Sequence, residues 1–474
     1  MKVLYAAAEC APFIKTGGLA DVIGALPREM TKNGVDARVI VPLHKGISDE
    51  FKSQMEFLGE FYVSLSWRKT YCGVYSLFYN GVTHYFIDNE QYFGRNSIYG
   101  EYDDAERFAF FSKAVLDVIN FVDFFPEVIH INDWHTALVP VYLDEFYRED
   151  PRYSGIKTVL SIHNIEYQGR YNPVILGEVF GLSENRLATL MYDNDLNLLK
   201  GGIESSDMII TVSETYAKEI LDVTHSFGLC GILREREYKL RGIVNGIDTE
   251  NYNPETDSAI YKNYNYETIR FKSFNKKALQ KEMGLAVDNT IPLIGMVTRL
   301  TRQKGIDLIQ EVRDEIKDLP IQLIVLGLGD DDFEWFLRDF EWSSHENIRG
   351  YVGFSKEIAQ KIYAASDIFL MPSRSEPCGL SQMIAMRYGT IPVVHSVGGL
   401  KDTVEPFNPK NGSGTGITFQ SYNAYDMLDA IKRALLLYAD KGSWRMLRKN
   451  AMQKDFSWEN SSQKYLDVYK QIIE

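Results

Sequence analysis

Residues 1–42, MKVLYAAAECAPFIKTGGLADVIGALPREMTKNGVDARVIVP, decide the fold of this chain. A β-prone run at residues 3–8 is followed by a glycine turn, a helical pattern at about 19–32 and a second apolar run at 37–42. Strand, helix and strand at this spacing predict a βαβ unit, whose two strands pair in parallel through a right-handed crossover. The chain is therefore predicted to begin an α/β domain with a parallel sheet.

The same pattern recurs further along the chain. Short apolar runs at residues 128–131, 158–162 and 208–212 predict three more strands, and Ser213 stands where it can cap the next helix. Residues 245–266 are rich in Pro, Asn, Tyr and Asp, and we interpret them as the interdomain connection. A second series of strands is then predicted at residues 291–298, 322–327, 367–371 and 391–395.

These elements predict an α/β fold made of two Rossmann-like domains with parallel sheets, facing across a deep interdomain cleft. The N-terminal domain is placed at residues 1–245 and the C-terminal domain at 246–456. An amphipathic pattern at 457–474 predicts a last helix, whose apolar face could pack back on the first domain. Polar residues follow several of the predicted strands, and open parallel sheets bind ligands at that edge.

Composition narrows the class of function. The chain has 474 residues, of which 45% are hydrophobic and 24% charged, which is enough apolar material for full cores. Its formal net charge of −14 argues against nucleic acid and anionic membranes as partners. No run of 18 apolar residues and no signal-peptide pattern is present, and the four cysteines form no CxxC pair. We therefore expect a protein of a reducing compartment, which is the cytoplasm or, in a plant lineage, a plastid-like stroma.

Two glycine-rich or basic segments follow predicted strands. Lys15 precedes the pair Gly17 and Gly18 at the start of the first helix, where backbone N–H groups attract anions; a plain turn with a surface lysine is the alternative. Arg299 and Lys304 follow the strand at 291–298 and have the spacing to clamp a diphosphate, or they form an exposed basic loop. The first segment is neither a GxGxxG nor a GxxxxGK[ST] motif, which disfavours NAD and P-loop chemistry.

The remaining candidates are acidic or imidazole side chains after strands. Glu376 lies just before a helix predicted to start near Gly379, where it accepts hydrogen bonds from a sugar or complements the helix dipole. Asp133 and His163 each follow a strand, and spacing alone assigns neither of them to catalysis. Asp133 has the alternative of capping the next helix.

Together the motifs resemble those of the bacterial glycogen synthase and starch synthase family of retaining glucosyltransferases. The resemblance runs nearly from end to end and rests on KTGGLADVIGALP at 15–27, NDWH at 132–135, HNIEYQG at 163–169, VNGID at 244–248, RLTRQK at 299–304, EPCGL at 376–380 and YGTIP at 388–392. It implies the GT-B fold and transfer of glucose from ADP-glucose to the non-reducing 4-hydroxyl of an α-1,4-glucan, without a metal or other cofactor. The partners it implies are the nucleotide sugar and the glucan, and it leaves the oligomeric state open.

Residue roles follow from the matching positions. The resemblance implies that catalysis depends on Glu376, His163, Asp133, Lys15, Arg299 and Lys304. The positions that match the nucleotide-sugar site are Lys15, Gly17, Gly18, Asp21, Asn164, Asn245, Arg299, Lys304, Gly353, Phe354, Glu376, Cys378, Gly379, Leu380 and Ser381. Those that match the acceptor and sugar pocket are Glu9, Tyr99 and Asp133.

Three departures from the family pattern bear on mechanism. Ile384 stands where related GT-B families carry a second glutamate, so a paired-carboxylate role is absent. Phe354 stands where many members have tyrosine, which keeps stacking on the base but removes a hydroxyl contact. Ser381 replaces a common threonine and keeps its hydroxyl. We expect front-face displacement, with closure of the domains about residues 245–266 and the C-terminal helix to exclude water.

Four rival functions remain to be distinguished. A phosphorylase-like enzyme would carry pyridoxal phosphate and absorb visible light. A non-catalytic glucan-binding relative would lack some of Lys15, Arg299, Lys304 and Glu376, all of which are present. A dehydrogenase is disfavoured by the missing GxGxxG motif. The nearest rival is the same transferase with UDP-glucose as donor.

Overall fold

The computed structural model describes all 474 residues, and their contacts divide the chain into two compact units. Unit 1 contains Met1–Asn245 and Trp458–Glu474, and unit 2 contains Gly246–Ser457. The chain therefore leaves unit 1 once and returns to it for its last helix. The predicted interdomain connection at 245–266 is shorter than expected, because Ile260 and Tyr264 are buried within unit 2.

Unit 1 contains a nine-stranded sheet and a separate, small three-stranded sheet. Its strands are β1 Lys2–Ala6, β2 Asp36–Pro42, β3 Glu56–Leu65, β4 Arg68–Tyr79, β5 Val82–Asp88, β6 Val128–Asn132, β7 Lys157–Ile162, β8 Arg170–Tyr171, β9 Met191–Tyr192, β10 Asp195–Asn197, β11 Met208–Thr211 and β12 Leu240–Gly242. The large sheet has the order β12-β11-β7-β6-β1-β2-β5-β4-β3, and β8, β10 and β9 form the small one. Pairing is parallel from β12 to β5, with Tyr5 opposite Val39 and His130, and antiparallel between β5, β4 and β3.

The helices of unit 1 before its exit are α1 Gly18–Lys32, α2 Asp49–Lys52, α3 Glu90–Phe93, α4 Asp104–Phe121, α5 Leu138–Tyr142, α6 Pro151–Ser154, α7 Ile175–Glu178, α8 Leu187–Leu190, α9 Leu198–Ser205, α10 Glu214–Glu219 and α11 Cys230–Arg234. Shorter helical turns lie at Trp134–Thr136, Leu143–Tyr147, Glu184–Arg186 and Glu237–Lys239. Ser213 caps α10 as predicted, since its hydroxyl accepts the Tyr216 N–H at 3.1 Å. The predicted βαβ unit is confirmed as β1, α1 and β2.

Unit 2 is built on a six-stranded, wholly parallel sheet of order β15-β14-β13-β16-β17-β18. Its strands are β13 Leu293–Val297, β14 Gln322–Gly327, β15 Ile348–Val352, β16 Ile368–Met371, β17 Ile391–His395 and β18 Ile417–Phe419. Its helices are α12 Lys272–Glu282, α13 Ile306–Glu311, α14 Arg313–Lys317, α15 Asp331–Ser343, α16 Lys356–Ala365, α17 Ser381–Arg387, α18 Gly398–Thr403, α19 Ala424–Ala439 and α20 Lys441–Gln453, with turns at Ile269–Phe271 and Arg302–Lys304.

The last helix, α21 Trp458–Ile473, belongs to unit 1. Its buried Trp458, Tyr465 and Tyr469 join the core formed by α1 and the central strands. Tyr469 is fully buried, and its hydroxyl meets His130 Nδ1 at 2.6 Å and the Tyr5 hydroxyl at 3.0 Å. Both ends of the chain thus complete one core. None of the helices combines the length and apolar character that crossing a membrane requires.

Candidate active site

The loop between β1 and α1 carries the first group of predicted site residues. Glu9 is buried, and its Oε2 accepts the Thr16 N–H at 2.5 Å and the Thr16 hydroxyl at 2.8 Å. These bonds tie the loop back to the end of β1. Burial raises the pKa of Glu9, and the hydrogen bonds from Thr16 and Gly17 oppose that rise. Glu9 therefore holds the shape of the loop that presents Lys15.

Lys15 forms an ion pair with Asp21 in the first turn of α1, with Nζ 2.7 Å from each carboxylate oxygen. The two side chains are 44% and 30% exposed. An ion pair this exposed contributes about 0–1 kcal/mol, so an arriving polyanion loses little by taking Lys15 from Asp21. The structure thus brings together the predicted cation and the predicted polar residue Asp21.

Gly17 and Gly18 lie where the loop enters α1. Gly17 has an extended backbone, and a Cβ built on Gly18 would meet no atom within 4 Å. The space in front of the helix start is therefore open to a ligand, as the sequence predicts. Glycine is not required here by a positive φ.

Asp133 and His163 come together at the carboxyl ends of the neighbouring strands β6 and β7. The Asp133 carboxylate accepts the His163 N–H at 2.7 Å and also the Asn164 N–H. Asp133 has φ of 54°, a left-handed conformation that costs a non-glycine residue of order 1–3 kcal/mol. It makes no side-chain cap on the following turn, so the capping alternative is wrong.

Asn132 fixes the tautomer of His163. The Asn132 amide nitrogen donates to the Ala6 carbonyl at 3.1 Å and to the His130 carbonyl at 3.4 Å, which leaves its Oδ1 as the acceptor. His163 Nε2 lies 2.9 Å from that oxygen and therefore carries the ring proton. The other ring nitrogen, Nδ1, keeps its lone pair and can accept a hydrogen bond from a hydroxyl.

Burial changes the charge state of this pair. It lowers the pKa of His163 to about 4, so the imidazole is neutral near pH 7. It raises the pKa of Asp133 to about 7, against the opposing effect of the two backbone N–H groups and with a smaller upward contribution from Glu9. A carboxyl that titrates near neutrality beside a neutral imidazole is typical of catalytic sites.

Tyr99 approaches the same carboxylates. Its ring packs against the His135 ring in a tilted arrangement with 4.5 Å between centroids, and His135 packs in the same way against Trp134 at 4.2 Å. Burial, followed by the negative charges of Glu9 and Asp133, raises the pKa of the Tyr99 hydroxyl. The four residues Glu9, Tyr99, Asp133 and His163 therefore form one polar group in unit 1. Burial also lowers the pKa of His135 to about 3, so that ring is neutral.

In unit 2, the centre of the candidate site is an ion pair between Lys304 and Glu376. Lys304 Nζ lies 2.8 and 2.7 Å from the two carboxylate oxygens, and the Ser373 hydroxyl donates to Oε2 at 3.0 Å. The side chains of Lys304 and Glu376 are only 16% and 9% exposed. Screening by solvent is weaker here than at Lys15, so this pair is held more firmly.

Arg299 is a largely unpaired cation in the same segment as Lys304. It follows β13, is exposed, and makes only a long contact of 3.4 Å to the Gln303 side chain. Arg302, the third basic residue of the segment, pairs instead with Asp307 at 3.3 Å. Of the two predicted cations, Arg299 is thus the accessible one, whereas Lys304 is held by Glu376.

The segment from Glu376 to Ser381 precedes α17. The helix begins at Ser381 rather than near Gly379 as predicted, because Gly379 has φ of 73° and is outside the helix. Cys378 is buried, and Leu380 is half-buried. The Ser381 hydroxyl accepts the Tyr363 hydroxyl at 3.1 Å. The segment is also held by α18, whose Gly399 N–H donates to the Glu376 carbonyl at 3.0 Å.

The other predicted residues have separate environments. Gly353 and Phe354 follow β15, and the Phe354 ring is 89% exposed. Asn164 turns its Oδ1 to the Glu166 N–H at 3.0 Å. Asn245 is buried at the exit from unit 1, and its amide oxygen has no hydrogen-bond partner. The structure contains no group of three or more His, Cys, Asp or Glu side chains arranged to hold a metal ion.

Two supporting residues were missed by sequence reasoning. Asn132 stands in the NDWH motif without an assigned role, and Ser373 is not among the predicted site residues. Both act through a neighbour, Asn132 on His163 and Ser373 on Glu376. The only signal for them in the sequence is their position next to stronger candidates at the ends of strands.

Comparisons with known proteins identify the family of this chain. Residues 2–235 match the family described as "Starch synthase catalytic domain", and residues 280–454 match "Glycosyl transferases group 1". The chain is 48% identical to a glycogen synthase of Clostridium beijerinckii over 100% of its own length and 99% of that protein. It is 46% identical to a glycogen synthase of Lactobacillus acidophilus, with both chains fully covered.

Solved structures give the same assignment. The catalytic domain of starch synthase IV from Arabidopsis thaliana, bound to ADP and acarbose, matches with a TM-score of 0.92, 32% identity and 99% coverage of both chains. A sucrose-phosphate synthase from Thermosynechococcus elongatus matches with a TM-score of 0.63, 17% identity and coverage of 99% of this chain and 98% of that one, which is a likeness of fold alone. The chain belongs to the glycogen synthase and starch synthase family of glycosyltransferases, and its fold is of the GT-B type.

Proposed function

We propose that the chain transfers glucose from ADP-glucose to the 4-hydroxyl at the non-reducing end of an α-1,4-glucan, with retention of configuration. The observation that carries the proposal is the Lys304–Glu376 pair, which sets a cation suited to phosphate beside a carboxylate suited to sugar hydroxyls. The choice of ADP is supported by the starch synthase IV structure, which was bound to ADP.

The leaving group is a nucleoside diphosphate, and its oxygens gain negative charge as the sugar departs. Arg299 and Lys304 would neutralise that charge, with Lys15 as a third cation. Backbone N–H groups of Gly379 and Leu380 add fixed dipoles to the same task. Donors and cations fixed in place before reaction stabilise a developing charge without the cost of reorganising water.

The donor glucose would be held by hydrogen-bond acceptors. Glu376 accepts sugar hydroxyls at oxygens that Lys304 and Ser373 already orient. His163 Nδ1 offers a lone pair because Nε2 donates to Asn132. Asp133, when ionised, lies beside His163 and would stabilise positive charge that develops at the anomeric carbon.

We infer a front-face displacement. The acceptor 4-hydroxyl oxygen forms a bond to the anomeric carbon on the face from which ADP departs, while the bond from that carbon to the phosphate oxygen breaks. The hydroxyl proton passes to the departing phosphate oxygen, so atoms and charge balance without a side-chain base. Glu376 and Asp133 orient and stabilise, and neither forms a bond to the sugar.

A double displacement is the alternative route to retention, and it uses two carboxyl groups about 5–5.5 Å apart, one of them as nucleophile. Ile384 fills the position of a second glutamate in related families. Incubation with a slow fluorinated ADP-glucose analogue, followed by intact-protein mass spectrometry, should show no added glucosyl mass. A glucosylated side chain would overturn front-face displacement.

The choice between ADP-glucose and UDP-glucose depends on the base pocket. Phe354 offers an exposed ring for stacking on adenine and no hydroxyl to read the base. Transfer to glycogen should be measured with each donor at equal concentration, with and without a metal chelator. The proposal expects transfer from ADP-glucose to exceed transfer from UDP-glucose at least tenfold, at a rate that the chelator does not change. Preference for UDP-glucose would overturn the donor assignment and leave the family unchanged.

We further propose that the enzyme needs no metal or organic cofactor, since Lys15, Arg299 and Lys304 supply the positive charge that a metal ion gives other transferases. A cytoplasmic location stays a prediction. An enzyme preparation without visible absorbance would argue against a phosphorylase-like pyridoxal enzyme, because bound pyridoxal phosphate is coloured.

A further inference from the structure

Tyr363 connects the interior of unit 2 to the proposed donor site. It lies in the last turn of α16, and its side chain is buried against the Phe369 ring of β16 at 5.2 Å between centroids. Its hydroxyl reaches the Ser381 Oγ at 3.1 Å, where α17 begins. Ser381 is one of the positions assigned above to the nucleotide sugar.

The main chain of Tyr363 is held by more than one side chain. Its carbonyl accepts the Thr390 hydroxyl at 2.6 Å and the Lys272 ammonium at 3.0 Å. Lys272 is fully buried and also donates to the carbonyls of Ala364 at 2.8 Å and Tyr388 at 3.1 Å. The carbonyls of Tyr363 and Ala364 lie at the C-terminal end of α16, and that of Tyr388 follows the C-terminal end of α17. One cation therefore binds the negative ends of both helix dipoles.

Tyr363 is therefore held at its backbone, at its ring and at its hydroxyl. Packing alone explains the ring, because a phenylalanine would fill the same space against Phe369. It does not explain the hydroxyl, which points at Ser381 rather than into solvent. A fixed donor aimed at a single serine determines which way that serine can direct its own proton.

A hydroxyl has one proton and two lone pairs. When Ser381 Oγ accepts from Tyr363, its own O–H is free to donate elsewhere. The proposed neighbour is a diphosphate oxygen, an acceptor that carries charge. We propose that Tyr363 is a positioning residue for the nucleotide sugar, which orients the Ser381 hydroxyl as a donor to the diphosphate. This inference rests on the proposed function, because Ser381 is assigned to the donor there.

The test is a double-mutant cycle on donor affinity. Tyr363→Phe, Ser381→Ala and the double variant are compared with wild type in the Kd for ADP by calorimetry and in the KM for ADP-glucose. A hydrogen bond to a charged group is strong, so Ser381→Ala should weaken ADP binding about tenfold. Tyr363→Phe should weaken it about three- to fivefold, since it removes only the orienting partner. The KM for glycogen should change in none of them.

The energetic coupling between Tyr363 and Ser381 in ADP binding tests the inference. If Tyr363 acts through Ser381, Tyr363→Phe has no further effect on ADP affinity in the Ser381→Ala background. Ser381→Thr, which keeps the hydroxyl, should retain the sensitivity to Tyr363→Phe. The matched control is Tyr438→Phe, whose hydroxyl donates to the Asn289 carbonyl, and it should leave the Kd for ADP unchanged.

Three results would overturn the inference. Equal effects of Tyr363→Phe in both backgrounds would show that it acts independently of Ser381. A loss of thermal stability without any change in Kd would show a structural role only. An effect of Ser381→Ala with none of Tyr363→Phe would leave the proposed donor site standing without its positioning residue. Failure of the wild-type chain to bind ADP would instead contradict the proposed function itself.

Discussion

Glu376 is the residue on which the proposed donor site of unit 2 depends. Both of its carboxylate oxygens are occupied, one by Lys304 and the other by Lys304 and Ser373. A diphosphate that attracts Lys304 would loosen this pair and leave Glu376 with lone pairs for sugar hydroxyls. In the proposed mechanism, binding of the phosphates and recognition of the glucose would therefore be coupled through one ion pair.

Asp133 gives the first prediction. Asp133→Asn keeps an acceptor for the two backbone N–H groups but removes the charge. If the ionised form stabilises the transition state, kcat/KM of the wild-type enzyme should fall as the pH decreases below about 7. The variant should lose about 10²-fold or more in kcat/KM at pH 8 and should lack this acidic limb. Initial rates from pH 5.5 to 9 test the expectation.

The same substitution should stabilise the fold. The folded pKa of Asp133 is about 7 and lies above its ordinary value, so the native state resists ionisation. Below about pH 4 the carboxyl is protonated in both states and does not lower the free energy of unfolding. Between about pH 4 and 7 the free energy of unfolding falls as the pH rises, and above pH 7 the loss is constant. Asp133→Asn should therefore raise the Tm more at pH 8 than at pH 5. An acidic limb that persists in Asp133→Asn, or a gain in Tm that is larger at pH 5, would contradict the assignment.

At the residue scale, the sequence points to candidate site residues but does not predict the orientation, tautomer or partner of their side chains. The positions of Lys15, Asp133, His163, Arg299, Lys304 and Glu376 follow from motifs at strand ends. The tautomer of His163 does not, because it depends on Asn132 and on the Ala6 carbonyl one strand away. The pairing of Lys304 with Glu376 joins residues far apart in the chain, and spacing carries no information on such a contact.

The second prediction concerns the contact between α18 and the segment that carries Glu376. A Cβ on Gly399, in α18, would lie 2.1 Å from the Cys378 carbonyl oxygen. Gly399→Ala must therefore push the segment that carries Glu376. A displacement of about 1 Å near reacting groups costs on the order of 10²-fold in rate, and we expect that loss in kcat/KM. Steady-state kinetics with ADP-glucose measure it.

The control for Gly399→Ala is Gly231→Ala, in α11 of unit 1. A Cβ there would meet no atom within 4 Å, and alanine favours a helix over glycine. Gly231→Ala should therefore keep full activity and unfold at the same or a slightly higher temperature. Full activity of Gly399→Ala would show that the contact between α18 and the Glu376 segment does not matter for catalysis.

Elements with continuous apolar runs were predicted within one or two residues. The strands β14 and β17 have the predicted bounds, and β1, β6, β7, β11, β13 and β16 differ only at their ends. The antiparallel strands β3 and β4 were missed because exposed Glu, Ser and Lys residues interrupt their apolar pattern. An edge of a sheet that is solvated on one face carries a weaker signal than a buried parallel strand.

At the scale of the whole molecule, unit 1 is assembled from both ends of the chain. The third prediction follows from Tyr469, whose hydroxyl bonds to His130 and Tyr5 in the central strands. Tyr469→Ala removes a fully buried ring and should lower the free energy of unfolding by about 3–5 kcal/mol. Tyr469→Phe should cost about 1–3 kcal/mol, because it keeps the ring but leaves the buried His130 and Tyr5 side chains without this hydrogen-bond partner. Urea-induced unfolding of the full chain measures both.

Leu436→Ala is the matched control, since Leu436 is exposed on α19 of unit 2 and should change stability by less than about 0.5 kcal/mol. Tyr469→Ala with wild-type stability would mean that α21 is not part of the unit 1 core. The sequence predicted this helix and gave its return to the first domain as an option. Amphipathicity shows that a helix has a face to bury but does not say which surface receives it.

The most direct test of the account is transfer of radiolabelled glucose from ADP-glucose to glycogen by wild type and by Glu376→Ala, with Glu376→Gln as the isosteric variant. The account predicts transfer by the wild-type enzyme and a loss of at least 10³-fold in both variants, with the folded state retained as judged by the Tm. Wild-type rates in Glu376→Ala, or no transfer from ADP-glucose by the folded wild-type chain, would contradict it.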